Sequence, residues 1–139
     1  MSERNFSMRM QCSYEGDTNA IADLVVEHEV EGQWQPLELG LTAPGFDIFV
    51  YAVFTCQHMY FRVNCAERGL LLNSAGGSIV IGAGADWNME TLRVHFSGHV
   101  RSGQASQEDI DFIVARMKQC PVSRNLVEVP DARSGVSLD

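Results

Sequence analysis

The sequence lacks the features that mark membrane, secreted and nucleic-acid-binding proteins. No stretch of the 139-residue chain approaches the ~18 to 20 apolar residues that span a membrane. The first ten residues are charged and contain no apolar core of a signal peptide. The net charge is -8, without a basic stripe, which argues against binding to a phosphate backbone. These absences predict one domain over residues 1–139, cytoplasmic, with no membrane or nucleic-acid partner.

Metal-binding signatures are also missing. The four cysteines are Cys12, Cys56, Cys65 and Cys120. They form neither a CxxC pair nor a zinc-like cluster. His95 and His99 fall in an alternating run, on one strand face and about 13 Å apart. Two imidazoles at that separation cannot share a zinc ion at about 2.1 Å from each ligand. In a reducing compartment, where lasting disulfides are rare, each cysteine is either a buried apolar residue or a working thiol.

Alternating apolar residues predict strands in the first part of the chain. Residues 6–14 alternate strictly, and a second alternating run follows from Ala22 to Val30. The turn-forming sequence EGDTN joins the two runs, so they predict a hairpin. A third short strand around Trp34 is expected at a sheet edge, because Pro36 cannot donate a ladder hydrogen bond.

Three later stretches also predict strands. Residues 69–84, GLLLNSAGGSIVIGAG, indicate one or two strands with a turn at Ala75 to Gly77. Residues 92–101 alternate again, with the apolar set expected to face inward. A last short strand is expected through Val136 and Leu138.

The longest apolar segment predicts a central helix from Asp47 to Arg68. Seven apolar residues run without a break from Ile48 to Phe54, and a helix apolar on every side belongs in a core. Asp47 is placed as an N-terminal cap or a first-turn acid. Gly69 is expected to end the helix.

A second helical segment follows a loop. Ser106 and Asp109 are spaced as in a capping box, with Asp in place of the usual Glu. An apolar stripe at helical spacing then runs from Ile110 to Cys120. Pro121 follows at once and is expected to interrupt the helix.

The thiols of Cys56 and Cys120 lie 64 residues apart, each on the apolar face of a predicted helix. If those faces pack, the two sulfurs could approach. Cys65 lies nine residues after Cys56, half a turn around the helix, so it is expected to be structural. The alternative is that Cys56 and Cys120 are also core residues, since free cysteine is among the most buried residue types.

A working thiol needs a lowered pKa or a proton acceptor. Cys56 lies in the middle of its helix, where the N-terminal dipole does not help it. His58 and Arg62 point away from its face. A stabilising cation must therefore come from elsewhere in the fold. Arg124, one turn beyond the second thiol, and Arg9, on the first strand, are candidates that the sequence does not rank.

These residues resemble the OsmC/Ohr family, the osmotically inducible protein C and organic hydroperoxide resistance proteins. The resemblance is carried by TCQHMYFRVNCAERGL (residues 55–70), a strand-rich stretch, a helix, and QCPVSRNL (residues 119–126). The family places one Cys in a central helix and a second Cys some sixty residues later, often in a Cys-Pro step. The likeness covers about residues 40–139.

The resemblance implies an α+β fold with two central helices packed against antiparallel sheets. It implies an intertwined homodimer with active sites at the subunit interface. Cys56 would attack an organic or hydrogen peroxide and become a sulfenic acid, which Cys120 would resolve to a disulfide. A dithiol such as a lipoyl protein would reduce that disulfide, with no metal or organic cofactor.

The sequence departs from the family pattern at two positions. Peroxidase members hold the thiolate with an arginine from the N-terminal hairpin, paired with a glutamate at the start of the helix. The turn EGDTN has no arginine, and Phe46 stands ten residues before Cys56, where the glutamate is expected. Asp47 is the nearest acid and is either a substitute or a helix cap. The alternative function is therefore a weak or inactive dimer that binds a small apolar ligand at the subunit interface.

Overall fold

A six-stranded sheet forms the frame of the computed structural model, which describes residues 3–126 and 129–139. The elements in chain order are β1 Arg4–Glu15, β2 Ala20–Val30, β3 Gln33–Pro36, α1 Gly45–Glu67, β4 Leu71–Ala83, β5 Met89–Ser102, α2 Gln107–Met117, α3 Pro121–Arg124 and β6 Asp131–Leu138. The strand order is β3-β2-β1-β4-β5-β6. Among the described residues, no helix is long and apolar enough to cross a membrane.

The N-terminal hairpin is confirmed. Strands β1 and β2 pair antiparallel, and β3 lies at the sheet edge that its proline predicts. The alternation in β1 also holds, because Met8, Met10, Cys12 and Tyr14 are buried while the residues between them are largely exposed. This apolar face of the sheet packs in one core with residues of α1 and α2.

The expected turn at Ala75 to Gly77 is wrong, because β4 runs through it as one 13-residue strand. Gly77 pairs with Phe96 of β5, and a Cβ at Gly77 would lie 2.6 Å from the Phe96 ring. Glycine here leaves room for the ring, which stacks against Phe54 and Phe61 of α1. Gly77 thus serves packing between sheet and helix, and the chain does not reverse here.

The fold class is α+β as expected, but the expectation of antiparallel sheets is wrong in one respect. The described strands form a single mixed sheet, in which β6 pairs parallel to β5. A parallel neighbour requires a crossover connection, and α2 and α3 supply it here. This crossover carries Cys120 over the same sheet face as α1.

The bounds of α1 follow from its two ends. It begins at Gly45 after Pro44, without a side-chain cap, so Asp47 is a first-turn acid and not the cap. Its C-terminal end carries the glycine predicted there. Gly69 adopts φ +75° and donates its N–H to Ala66, while the Leu70 N–H reaches the Cys65 carbonyl. These two bonds make a Schellman ending.

Helix α1 is not buried on every side within this chain. The side that faces the sheet is buried, but the opposite side exposes 48% of Met59, 45% of Val63 and 41% of Ile48. The prediction of a helix enclosed by its own core is therefore wrong for that side. Cys56, at intermediate burial, belongs to this outer side.

The second helix begins as predicted. Ser106 and Asp109 form the capping box, each side chain bonding the other's backbone N–H. Asp109 also accepts a 2.8 Å hydrogen bond from Arg68, next to the last turn of α1. Asn19, in the hairpin turn, fixes the same end of α1. Its side chain donates to the Arg62 and Leu70 carbonyls and accepts from the Leu72 N–H.

Candidate active site

The structure brings Cys56 and Cys120 together. Cys56 lies in the middle of α1, and Cys120 precedes α3 at its N-cap position. The two side chains are close enough for Cys120 to raise the pKa of the Cys56 thiol. Cys56 is half-buried, whereas Cys120 has no exposed surface. The four cysteines are all present as free thiols.

The Cys-Pro step explains how Cys120 reaches α1. Proline lacks an N–H and has a fixed φ, so it suits the first position of a new helix. Pro121 takes that position and starts α3 after α2 has ended. The Cys120 sulfur then acts as the N-cap and accepts the Ser123 N–H at 3.3 Å. The expectation that Cys120 lies on the apolar face of the second helix is therefore wrong: α2 ends at Met117, and Cys120 lies beyond it as the cap of the short helix that follows.

The environment of Cys56 favours its protonated form. Burial and the hydrogen bond to Cys120 raise the pKa of the Cys56 thiol to about 11, while the backbone N–H of Val122 acts in the opposite direction. The groups responsible include no cation among the described residues. Cys56 is therefore a neutral thiol near neutral pH in this chain.

His58 does not supply the missing charge. Its Nε2 lies 2.7 Å from the Tyr14 hydroxyl, and its ring stacks on Phe96, so it faces the sheet. Burial, together with the charge of Arg62, lowers the pKa of His58 to about 4. This histidine is neutral at physiological pH and lies on the side of α1 away from Cys56.

The three supporting candidates lie at different distances from the thiol pair. Arg9 is on the solvent face of β1, where its guanidinium bonds Glu27 at 2.8 Å and lies over the Trp34 ring. Asp47 is nine residues before Cys56, about 13 Å along the helix axis. Arg124 is exposed in α3, one turn after Cys120. The structure thus keeps Arg9 and Asp47 away from Cys56 and leaves Arg124 on the element that contacts both sulfurs.

The position ten residues before Cys56 belongs to an aromatic cluster. Phe46 packs against Phe6, Phe49 and Trp87, with ring centroids 4.4 to 5.5 Å apart. An ionised carboxylate in this apolar setting would lose much of its hydration without a partner. Phe46, at the position where a glutamate was expected, is therefore part of the aromatic packing at the start of α1.

Cys12 and Cys65 are core residues. Both are buried, and burial raises the pKa of each thiol, that of Cys65 to about 12. Cys65 lies on the sheet side of α1, opposite Cys56, as the helical spacing predicts. Neither has the paired arrangement that brings Cys56 and Cys120 into contact.

Sequence reasoning missed a polar chain beside the thiols. The Cys120 S–H donates to the Ser123 hydroxyl at 3.1 Å, and the Gln57 amide donates to the same oxygen at 2.8 Å. The Ser134 hydroxyl then donates to the Gln57 carbonyl at 2.9 Å. The sequence signal that could have revealed these hydrogen bonds is Gln57, a single polar residue directly after Cys56 on a side of the helix that is otherwise apolar.

The two exposed histidines have separate partners. His95 Nε2 lies 3.0 Å from the Ser137 hydroxyl, and His99 pairs with Asp139. The described residues contain no group of three His, Cys, Asp or Glu side chains that could hold a metal ion.

Comparison with known proteins identifies the fold. No protein-family model matches the chain, and no curated protein matches it either. An OsmC-like hydroperoxide resistance protein from Jannaschia sp. CCS1 aligns with a TM-score of 0.55, at 12% identity, over 90% of this chain and 88% of the other. An OsmC-like protein from Mycoplasma pneumoniae gives 0.53 at 14% identity, over 83% and 87%. This chain has the OsmC-like fold.

The OsmC-like fold is reached with little sequence identity. The two structures align with this chain at identities of 14% and 12%. The resemblance carried by the two cysteine segments is thus confirmed at the level of fold.

Proposed function

We propose that this OsmC-like chain is a thiol peroxidase in which Cys56 reacts with a hydroperoxide and Cys120 resolves the product. The observation that carries the proposal is the proximity of these two thiols, which come from separate elements 64 residues apart. Formation of the disulfide would bring these two neighbouring sulfurs to about 2.05 Å. The names of the neighbours support a redox role in general.

The difference in exposure supports the division of roles. Cys56 is half-buried on the outer side of α1, so a peroxide can approach it, whereas Cys120 is enclosed. In the first step the Cys56 thiolate attacks the peroxide, an S–O bond forms, the O–O bond breaks, and an alcohol leaves after protonation. In the second step Cys120, as a thiolate, attacks the Cys56 sulfur. The S–S bond forms and hydroxide leaves as water.

A dithiol reductant, such as a lipoyl protein, completes the cycle. One of its thiolates attacks the disulfide, and the second closes its own disulfide and releases both protein thiols. The proposal includes the cytoplasmic location predicted from the sequence, because free thiols persist in a reducing compartment.

We also propose a homodimer. The outer side of α1 exposes Ile48, Met59 and Val63, and exposed apolar side chains on one side of a helix favour association. Cys56 belongs to this side, so a second copy placed on it would lie beside the thiol pair. Arg124 remains the supporting residue in the proposal, because it lies on α3, whose N–H groups contact both sulfurs.

The second candidate function is the binding of a small apolar ligand at the subunit interface, without turnover. Its supporting observation is the raised pKa of Cys56, which keeps the thiol neutral near pH 7 beside an exposed apolar surface. In this function the thiols serve packing.

Turnover of an organic hydroperoxide with a dithiol reductant separates the two functions. Cys56→Ser should abolish turnover, whereas Cys12→Ser, a matched change at a buried thiol outside the pair, should retain it. Equal turnover in the wild-type protein and in Cys56→Ser would rule out the proposed peroxidase function.

A further inference from the structure

Gln57 is a buried polar residue between three elements. Its exposed fraction is 2%, and it follows Cys56 directly in α1. Its amide reaches Ser123 in α3, and its carbonyl accepts from Ser134 in β6. A buried amide is costly unless both ends find partners, and here both ends do.

The Ser123 hydroxyl is fixed by this arrangement. Its oxygen accepts two hydrogen bonds, one from the Gln57 amide at 2.8 Å and one from the Cys120 S–H at 3.1 Å. An oxygen that accepts two bonds cannot rotate freely to serve other partners. Gln57 thereby keeps an acceptor in place for the Cys120 proton.

The Cys120 sulfur has two contacts with Ser123. In the thiol form its S–H donates to the Ser123 hydroxyl, and the Ser123 N–H donates to the sulfur at 3.3 Å. The form that attacks Cys56 is the thiolate, and the Ser123 hydroxyl held by Gln57 can then donate its own hydrogen to that sulfur. Both contacts with Ser123 keep the Cys120 sulfur beside Cys56.

We propose that Gln57 is a positioning residue for the Cys120 thiol, acting through the Ser123 hydroxyl. The inference rests on the proposed role of Cys120 as the thiol that attacks Cys56. Without the Gln57 amide, the Ser123 hydroxyl turns away, the Cys120 sulfur loses that partner and samples other positions, and closure of the disulfide slows. The reaction of Cys56 with its first electrophile is not affected, because Gln57 contacts neither sulfur directly.

A two-step reaction with 5,5′-dithiobis(2-nitrobenzoate) measures the attack by Cys120 without a peroxide. The Cys56 thiolate attacks the reagent, forms a mixed disulfide and releases one thionitrobenzoate. The Cys120 thiolate then attacks the Cys56 sulfur, closes the protein disulfide and releases a second thionitrobenzoate. The first release reports Cys56, and the second reports Cys120. Peptide mapping assigns the sulfurs, so a protein inactive toward peroxides still gives a result.

Gln57→Met keeps the volume of the side chain and removes its hydrogen bonds. We expect the second release to slow about tenfold and the first to change by less than about twofold. Ser123→Ala should slow the second release by a similar factor. The double variant should be no slower than Ser123→Ala alone, because residues that act through one another are not additive.

Ser134→Ala is the matched control. It breaks the tie between α1 and β6 at the other end of Gln57 and leaves the Ser123 side intact. A purely structural role for Gln57 predicts that Ser134→Ala and Gln57→Met slow the second release alike. The positioning role predicts that Ser134→Ala stays within about twofold of the wild-type protein.

Two results would overturn the proposal. One is that Ser123→Ala releases the second thionitrobenzoate at the wild-type rate. This test does not depend on whether Gln57→Met folds. The other is a double variant slowed about a hundredfold, the product of two independent effects. Failure of the peroxidase function is a separate result. In that case a peroxide forms no disulfide between Cys56 and Cys120, while 5,5′-dithiobis(2-nitrobenzoate) still gives the normal two-step release.

Discussion

Raising the pH should accelerate the reaction of Cys56 with electrophiles. Burial and the hydrogen bond to Cys120 raise the pKa of its thiol to about 11, against the opposing effect of the Val122 N–H. Only the thiolate is nucleophilic, so the rate follows the deprotonated fraction. A raised pKa therefore makes the reaction slow at neutral pH, and the rate climbs until the pH reaches that pKa.

The magnitude combines two opposing effects. At neutral pH a thiol with a pKa of about 11 is deprotonated in about one molecule in ten thousand, against about one in a hundred at the ordinary 9.0. The thiolate with the higher pKa is more nucleophilic, with a Brønsted coefficient of about 0.4–0.5, which offsets roughly eightfold of that loss. Cys56 should thus react about tenfold more slowly than an unperturbed thiol at neutral pH. Its rate should rise about tenfold per pH unit.

Pulse alkylation with iodoacetamide between about pH 7 and pH 10, followed by quantitation of the Cys56 peptide, measures this dependence. Cys65 is the internal reference, since it has no exposed surface and its labelling reports opening of the whole fold. A Cys56 rate that is constant above about pH 8 would contradict a pKa of about 11. It would require a thiolate stabilised by a cation, and the groups that shift the pKa of Cys56 include none among the described residues.

Three other substitutions test the packing and the chemistry. Asn19→Ala removes three hydrogen bonds to backbone groups and leaves at φ 53° a residue that tolerates the left-handed region less well than asparagine, so chemical denaturation should show a loss of about 3 to 5 kcal/mol. Asn19→Gly tolerates that φ and should lose about 1 kcal/mol less; equal losses would contradict the backbone argument. Gly77→Ala should cost about 1 to 3 kcal/mol through its clash with Phe96. Gly76→Ala, which meets only the flexible end of a glutamine, should cost less than about 1 kcal/mol. In Cys120→Ser the sulfenic acid of Cys56 has no thiol to resolve it, so peroxide treatment should oxidise Cys56 to a sulfinic acid and add about 32 Da to the protein. An unchanged mass would contradict this.

Alternation in the sequence predicted β1 and β5 well, because each of these strands has one buried face and one exposed face. It failed at Gly76 and Gly77, where two glycines are typical of a turn. The ring that needs the space at Gly77 belongs to Phe96, on a strand whose register the sequence does not reveal. Propensity alone therefore gave the wrong result where packing between distant strands decides the conformation.

Helical spacing correctly separated Cys56 from Cys65 but could not show that Cys56 meets Cys120. That contact depends on the short helix begun by Pro121 and on the crossover to β6, both of which are tertiary features. The apolar outer side of α1 was predicted to be buried, and the single chain exposes it. An apolar sequence pattern alone does not tell whether such a side is buried within its own chain.

The most direct test of the account is whether a hydroperoxide links Cys56 to Cys120. The reduced protein is treated with one equivalent of an organic hydroperoxide, alkylated, digested and mapped by mass spectrometry. The account predicts a loss of about 2 Da in the intact mass and a single cross-linked pair of peptides that contain Cys56 and Cys120. If the Cys56 and Cys120 peptides of the wild-type protein stay unlinked and Cys56 is unmodified, this expectation is contradicted.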